Sequence, residues 1–591
     1  MPKKIVILGA GYAGIEAALT LQKKKKPQDD IEIILIDKNP YHTLLTELHE
    51  VAGNRISEDG IIVPLRDIFK YTDVKLIQDN IADIDFEKNK LKSDSNEYNY
   101  DYLLLAAGSN PNYYGIPGLE ENCFPLWSYK DAVNIREHIK NTFILASQEK
   151  DPEKKKAMLT FVVGGGGFTG IELLGELAHW FKDLCTEYSI KKEEVKLVLI
   201  EALPNILSNL PDKAVKKAHN YLTQKLKVEV ITGKAVTKVT PDWVEVGGEK
   251  TIPTKTIIWT AGVRACNLTD KLNIEKGKSC RIKVNEYTQT QYENVYSAGD
   301  ISIFQTPEGS LPALVESALQ TGRAAVLNIL ADIRGKEKKK LEPKLHGVMV
   351  SIGSYFAVSE IMGRQFSRLI SIILKYMVNV HYLFGIGGFE LVMRYLKDEF
   401  LYKKQNKTIV EKHISVLTPA FWLVPLRLFL GYFWLKEGLV KITDGWLVKA
   451  MLSGMPADAQ TGASVTETGE KIFQIIYDYT PSWYAWIAET FVIPNALFFQ
   501  YLIVLSELAI GIAFVSGTFT FLAALAALAL NVNFLLSTGL YETSWWLIPA
   551  EIAMLGGAGR AFGVDHYLIP YLMRQWRYFV RNKKIKLNLF R

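Results

Sequence analysis

Lys4-Ile5-Val6-Ile7-Leu8-Gly9-Ala10-Gly11-Tyr12-Ala13-Gly14 is the stretch from which the rest of the chain is read. Ile5 to Leu8 form a short apolar run, long enough for a buried parallel strand, and Ile15 onward reads as a helix. The glycines between them have separate tasks. Gly9 allows a tight turn, Gly11 lets a pyrophosphate approach the backbone, and Gly14 lets helix and strand pack closely, so that the helix N-terminus faces the anion. A second strand, Ile31 to Ile36, ends in Asp37, about 20 residues further on, where a carboxylate can accept hydrogen bonds from an adenosine ribose. A glycine-rich turn alone is common. With strand before, helix after and the acid in place it reads as a dinucleotide site. A purely structural strand–turn–helix leaves unexplained why Asp37 ends an otherwise apolar strand.

The pattern recurs after a charged linker, Glu149 to Lys156. Leu159 to Val163 is an apolar strand, Gly165-Gly166-Gly167-Phe168-Thr169-Gly170 is the loop, and Ile171 to Trp180 begins a helix. The next strand, Val195 to Ile200, ends in Glu201. Two complete fingerprints in one chain are far more specific than one. An acid at the ribose position repels a 2′-phosphate, so Glu201 argues for NADH; the alternative is an exposed strand-end acid. Small residues at further strand ends let backbone pass close to a ligand: Ala106-Ala107-Gly108-Ser109 and Trp259-Thr260-Ala261-Gly262. Asn294 to Asp300 closes this core, and Pro312 to Asn328 reads as a helix carrying Glu316, Ala318, Gln320 and Gly322.

A chain of 591 residues suggests three or four domains. Apolar residues make up 48% of it, with the excess mostly after Thr418. The formal charge of +6 is small for this length, and no nucleic-acid-binding signature is present. The lysine runs at Lys23–Lys26 and Lys338–Lys340 are solvated faces or weak attractors of anionic lipid. Cys123, Cys185, Cys266 and Cys280 form no CxxC pair and no zinc spacing, so a reducing compartment and no metal are expected. Met-Pro-Lys-Lys runs straight into a strand, and no signal peptide is expected ahead of it.

Between Leu369 and Leu396 apolar residues recur at helical spacing, interrupted or flanked by Arg364, Arg368, Lys375 and Glu390. That suits an amphipathic helix in a membrane surface, or an ordinary packed helix. Beyond Lys403 and Lys404 come longer apolar runs, Ala420–Leu439, Ala496–Gly517 and Phe519–Thr538, and a fourth from Trp545 to about Phe562 interrupted by Gly556, Gly557 and Gly559. A bilayer core needs about 20 apolar residues per helix. Arg574, Arg577, Arg581, Lys583, Lys584 and Lys586 follow the last run, which places that end in the cytoplasm, while the slightly acidic loop from about Thr443 to Glu489 lies outside. Four spans then return the chain to the side of the nucleotide domains. Arg427, Glu437, Glu507 and Glu551 fall within or beside the spans and are expected to face the bundle interior and pair with one another, as a structural set or as a quinone or proton path.

The first 400 or so residues resemble a type II NADH:quinone oxidoreductase. The resemblance rests on Gly9–Gly14, Asp37, Asn39-Pro40-Tyr41-His42, Ala106-Ala107-Gly108, Gly166-Gly167-Phe168-Thr169-Gly170-Ile171-Glu172, Trp259-Thr260-Ala261-Gly262-Val263-Arg264 and Ala298-Gly299-Asp300. It implies a fold of two Rossmann-like α/β dinucleotide-binding domains, non-covalent FAD at the first loop and NADH at the second. It implies cofactor contacts at Gly9, Gly11, Tyr12, Ala13, Gly14, Asp37, Lys38, Ile81, Ala107, Gly108 and Asp300, and at Gly165, Gly167, Thr169, Gly170, Glu201 and Gly262. It also implies Glu172 near the nicotinamide and quinone region, with Glu172, Glu316 and Gln320 framing the quinone headgroup. The family pattern Ala-Gln-x-Ala-x-Gln stands here as Val315-Glu316-Ser317-Ala318-Leu319-Gln320, so Gln320 matches and Glu316 replaces the first glutamine. Glu316 and Gln320 also read as surface polar residues of a helix. The last 170 or so residues resemble the DoxX family of four-helix membrane proteins, through Arg427-Leu428-Phe429-Leu430-Gly431, Glu437-Gly438-Leu439-Val440-Lys441, and Gly557-Ala558-Gly559-Arg560 with Asp565.

The expected division is residues 1–115 and 285–345 for FAD, 155–280 for NADH, 346–412 for membrane docking, and 415–591 for an all-α four-helix transmembrane bundle. The expected partners are a membrane quinone and the lipid bilayer of the cytoplasmic membrane; homodimers are common in the first family. A sulfide:quinone oxidoreductase needs a redox-active cysteine pair beside the flavin, and no cysteine follows Cys280. A flavin disulfide reductase fails because no close cysteine pair follows the first helix. Two readings of other classes remain: delivery of electrons to a membrane or thiol partner through the DoxX-like helices, and a non-catalytic flavin-binding scaffold, against which the two fingerprints and Asp300 argue.

Overall fold

The apolar run that begins the chain is a central strand because both its faces are covered. Ile5, Val6 and Ile7 are fully buried in β1 (Lys3–Leu8), as a strand packed by helices on both sides requires. The computed structural model describes residues 2–307, 309–400, 420–453, 463–465, 471–539 and 544–582. Lys403, Lys404, Lys583, Lys584 and Lys586 lie outside them. The described residues fall into two units, one within Met1–Ser415 with Arg577–Arg591, the other within Val416–Trp576.

The first unit holds two five-stranded parallel sheets. In one, β1 lies between β2 (Ile31–Asp37) and Tyr102–Leu105, with Lys75–Gln78 and Val295–Ser297 at the edges. In the other, β3 (Thr160–Gly164) lies between β4 (Lys196–Glu201) and Thr256–Trp259, with Glu229–Thr232 and Phe124–Pro125 outside. In each, the chain leaves the glycine-loop strand to one side and returns to the other, which opens a crevice at the strand C-termini. The loops lead into α1 (Tyr12–Lys24) and α2 (Phe168–Glu187). The strands Ser109–Pro111 and Val263–Ala265 pair antiparallel and tie the two halves together. α3 (Val315–Ile333) packs on α1, where a Cβ at Gly322 would lie 2.4 Å from the Ala13 carbonyl oxygen. A three-stranded antiparallel sheet beginning with β5 (Gly347–Ser351) leads into α4 (Leu369–Gly387) and α5 (Phe389–Phe400), broken where Gly388 takes φ +69°.

The second unit is mostly helical: α6 (Val424–Thr443), α7 (Ala496–Ser516), α8 (Thr520–Thr538), α9 (Ser544–Met554) and, as far as Trp576, α10 (Asp565–Asn582). Among the described residues three helical stretches are long and apolar enough to cross a membrane: Ile370–Gly387, Ser482–Ser516 and Thr520–Ser537. The first and fourth predicted spans differ from expectation. α6 carries Arg427, Lys436, Glu437 and Lys441, and α9 stops at Met554, ahead of Gly556 and Gly557.

The charged residues of this unit do not form one set. Arg427 donates to the carbonyls of Ala558, Ala561 and Phe562 at 2.9–3.0 Å. Glu507 takes Lys441 at 2.9 Å, with Glu437 3.9 Å from the same ammonium. Glu551 accepts from Trp434 Nε1 at 3.0 Å and from Asn531 Nδ2 at 2.8–2.9 Å. Asp565 accepts from the N–H groups of Phe519 and Thr520, at the start of α8.

Candidate functional site

The two glycine loops are built alike. Gly9 takes φ +108° and Gly165 φ +110°, where an L side chain is strained. A Cβ at Gly14 would lie 1.8 Å from the Gly9 carbonyl oxygen, and one at Gly170 2.0 Å from that of Gly165. Only glycine lets each helix come this close to its turn. A Cβ at Gly11 or Gly167 meets nothing within 4 Å, so the backbone there is open at the N-terminus of a long helix. Open N–H groups at the positive end of a helix dipole fit a pyrophosphate.

The strand-end acids hold the loops. Asp37 accepts from Ala10 N at 2.6 Å and Asn39 N at 2.7 Å; Glu201 accepts from Gly166 N at 2.5 Å and Leu203 N at 2.8 Å. A carboxylate offers about four lone-pair sites, so each keeps capacity for a ribose hydroxyl. Burial raises the Asp37 pKa, against the hydrogen bonds from Ala10 and Asn39.

Around the first loop, Gly9 abuts Ala106, and a Cβ at Gly299 would lie 3.1 Å from that of Ala13. Gly108 is open in the same way as Gly11. Asp300 accepts from Ser109 Oγ at 3.0 Å, and burial raises its pKa. Asp300, Arg281, Ser317 and Thr321 line one small cleft, where Arg281 Nε is buried with no hydrogen-bond partner among the described residues. An orphaned guanidinium N–H there suits a flavin nucleotide's anionic or carbonyl groups. Tyr12 is buried, Lys38 is exposed, and Ile81 packs in the apolar core with Val6, Leu8 and Ile36. Around the second loop, Thr260 Oγ1 donates to Gly164 and Gly165, Thr169 is half-buried, and the Tyr114 hydroxyl would lie 2.1 Å from a Cβ at Gly262.

Glu172, in the second turn of α2, enters a buried polar cluster. It accepts from Ser351 N at 3.1 Å and Ser351 Oγ at 3.2 Å, and lies 3.6 Å from His49 Nδ1. Lys375 of α4 meets Glu50 at 2.6 Å and Glu47 at 3.5 Å; Arg55 meets Glu50 and Glu176 at 2.9 Å. Four carboxylates thus face two permanent cations. Burial pushes Glu172 up to about 7, against Lys375 and the Ser351 donors. Burial also raises Glu176, and it lowers His49 well below its ordinary range, with Lys375 adding to the effect. Burial opposes the charge on Glu50, but Arg55 and Lys375 outweigh it and hold the carboxylate ionised.

Glu316 and Gln320 sit one turn apart on α3, under the segment that enters β5. Gln320 Nε2 donates to the Lys344 carbonyl at 2.7 Å and its Oε1 accepts from Lys344 N at 2.9 Å. Glu316 accepts from His346 N at 3.1 Å and meets His346 Nδ1. Glu172 bonds to the far end of the same strand, five residues on. No described hydrogen bond joins it to Glu316 or Gln320. His49, Glu50, Arg55, Glu176 and Arg281 were not singled out from the sequence. In the sequence Lys375 stands out only as an interruption of an apolar run. The four cysteines are free and separate.

The model of the family described as pyridine nucleotide-disulphide oxidoreductase matches residues 3–322. The type II NADH:quinone oxidoreductase of Staphylococcus aureus (strain NCTC 8325 / PS 47) is 31% identical over 400 residues, 66% of this chain and 98% of that protein. Among solved structures, NDH2 from Plasmodium falciparum in complex with NADH matches with a TM-score of 0.61 at 18% identity, over 69% of this chain and 100% of that one. The sulfide:quinone oxidoreductase from Aquifex aeolicus matches with a TM-score of 0.55 at 18% identity, over 70% and 96%. The likeness to these two structures is one of fold.

Proposed function

Because this chain belongs to the type II NADH:quinone oxidoreductase family, we propose that residues 1–115 and 285–345 hold FAD, that residues 155–280 bind NADH, and that a quinone is reduced beside Glu172. The chain is an NADH-driven flavoprotein oxidoreductase that passes electrons to quinone. The observation that carries the reading is the duplication: two glycine loops of the same build, each held by its own strand-end acid, in one redox unit.

FAD supplies, when bound, the hydride acceptor and two-electron donor. Gly11 and the α1 N-terminus hold its pyrophosphate, Asp37 its ribose, and Asp300 with Arg281 the part of the molecule beyond. Gly167 and Glu201 do the same for NADH. Reducing a quinone to a quinol takes two electrons and two protons. NADH brings a hydride, so one proton comes through the protein. Glu172, held near neutrality by burial, carries a proton at its carboxyl and regains it from the polar cluster behind it. Glu316 and Gln320 extend the quinone side, Glu316 through a carboxyl where the family has an amide.

On α4, Lys375, Asn379 and Tyr382 bond inward while Ile370, Ile373, Met377 and Phe384 are exposed. That division favours a helix lying in the membrane surface over one crossing it. The C-terminal unit is the DoxX-like membrane domain, four-helix in plan, and the basic C-terminus puts the redox unit on the cytoplasmic side of the inner membrane. A homodimer fits the family.

Anaerobic stopped-flow tests the assignment. NADH should bleach the flavin, and a menaquinone or ubiquinone analogue should restore it rapidly. Bleaching followed by slow reoxidation with every quinone would sink the quinone assignment. It would support the second reading, delivery to a membrane or thiol partner, which the Glu316–His346 contact favours because it occupies a carboxyl expected to face the headgroup. Glu201→Ala should raise kcat/KM for NADPH relative to NADH by roughly 10- to 100-fold, since it removes a like charge from the 2′-phosphate. An unchanged ratio would leave Glu201 as a brace for Gly166 only.

A further inference from the structure

The two loops differ in one respect. In both, the residue after the tight-turn glycine gives its N–H to the strand-end acid: Ala10 to Asp37, Gly166 to Glu201. The carbonyl of that residue is held differently. Gly166 accepts from the backbone N–H of Leu207 at 2.8 Å, inside its own half. Ala10 accepts from a side chain, His42 Nδ1, at 3.2 Å, and His42 Nε2 lies 2.9 Å from the Tyr382 hydroxyl on α4.

We propose that His42 and Tyr382 are positioning residues for the flavin site, forming a fixed donor–acceptor chain that sets the Ala10 peptide from the apolar helix α4. The inference rests on the reading of the first loop as the FAD site and goes beyond it.

The proton arrangement follows from valence. A carbonyl oxygen accepts only, so Nδ1 carries the hydrogen. In the neutral ring Nε2 is then bare and accepts from Tyr382 O–H. Burial keeps the ring neutral, pushing His42 down to about 4 against the pull of the Ala10 carbonyl. The orientation is fixed twice over. Tyr12, two residues further along the loop, meets the His42 ring edge-on at 4.8 Å and the Tyr382 ring at 5.0 Å. α4 therefore meets Tyr12 directly and Ala10 through His42, on the two sides of Gly11, the position left open for pyrophosphate. Removing the Tyr382 hydroxyl leaves a buried ring nitrogen without a donor, and with one of its two constraints gone the ring holds the Ala10 carbonyl less firmly.

The test uses the full-length protein in detergent, as wild type, Tyr382→Phe and His42→Ala. FAD affinity is read from fluorescence on release and rebinding. The visible circular dichroism of bound flavin and the KM for NADH of the flavin-replete enzyme are read beside it. Tyr382→Phe should weaken FAD binding about tenfold and alter the visible dichroism, with the KM for NADH unchanged because Leu207 holds the other loop. His42→Ala should weaken FAD further; should it fail to fold, Tyr382→Phe alone decides. Wild-type FAD affinity in folded Tyr382→Phe would overturn the inference, and so would equal losses in FAD affinity and NADH KM, which mark a general loosening. A wild-type protein that takes up no FAD at all would bring down the assignment of the first loop, and this inference with it.

Discussion

Glu172→Gln should lower quinone-dependent turnover by roughly 10²- to 10⁴-fold, the range for loss of a positioned proton donor, while leaving flavin reduction by NADH within a few-fold of wild type. The pH profile separates this from simple disturbance. With Glu172 titrating at about 7, wild-type quinone reduction should fall as pH rises through neutrality, because the carboxyl then no longer holds its proton. In the glutamine variant that limb should vanish. Stability should fall over the same range. The folded-state pKa is raised above the unfolded value, so between about 4.5 and 7 the native state binds more protons than the unfolded one, and stability from this group falls as pH rises. At pH 8 a neutral glutamine should therefore unfold later than wild type, by at most about 3 kcal/mol. Urea titrations at pH 5 and pH 8 check it: a gain at pH 8 that disappears at pH 5 is the expected result. A variant destabilised equally at both values would show that hydrogen bonding to Ser351, and not proton storage, is the role of the carboxylate.

Lys375→Met is the second large effect. Lys375 is buried and meets Glu50 at 2.6 Å and Glu47 at 3.5 Å. Burial alone would discharge it, but the two carboxylates outweigh that and hold it charged. Removing one partner of a buried pair leaves an uncompensated charge, at a cost of about 3–5 kcal/mol. Chemical denaturation should show a loss of that size. The double variant Lys375→Met/Glu50→Gln should recover part of it, since the stranded charge is then reduced. Loss without any recovery would point to packing of the lysine stem instead of charge balance.

Much of the fold was legible because its signals are local. β1, the first loop and α1 lie within about 20 residues, and the acid that ends β2 is one element further on. The same holds for the second glycine loop, whereas the break between α4 and α5 at Gly388 falls inside what reads as a single apolar run. What remained hidden depends on distant partners. Lys375 showed as a lone charge in an apolar run, but its partners Glu47 and Glu50 lie 325 or more positions away. Glu172, Glu316 and Gln320 were expected to frame one headgroup. In the structure Glu172 turns to Ser351 and His49, while the other two are bonded to Lys344 and His346. Arg427 was expected to pair with a glutamate. The turn after α9 leaves carbonyls at Ala558, Ala561 and Phe562 without helical partners, and a buried guanidinium with its fork of donors satisfies them. No spacing rule reports that need.

The unequal bracing of the two loops bears on how freely each half can be moved between proteins. The Gly166 carbonyl is held by Leu207, about 40 positions on, so that brace travels with its own loop. The first loop is shaped from Tyr382, more than 370 positions after Ala10. A gene fragment ending before α4 carries the whole fingerprint from Gly9 to Asp37 and yet lacks the part that sets it. Selection on α4 is therefore also selection on the first loop, and the two are exchanged among relatives as one cassette.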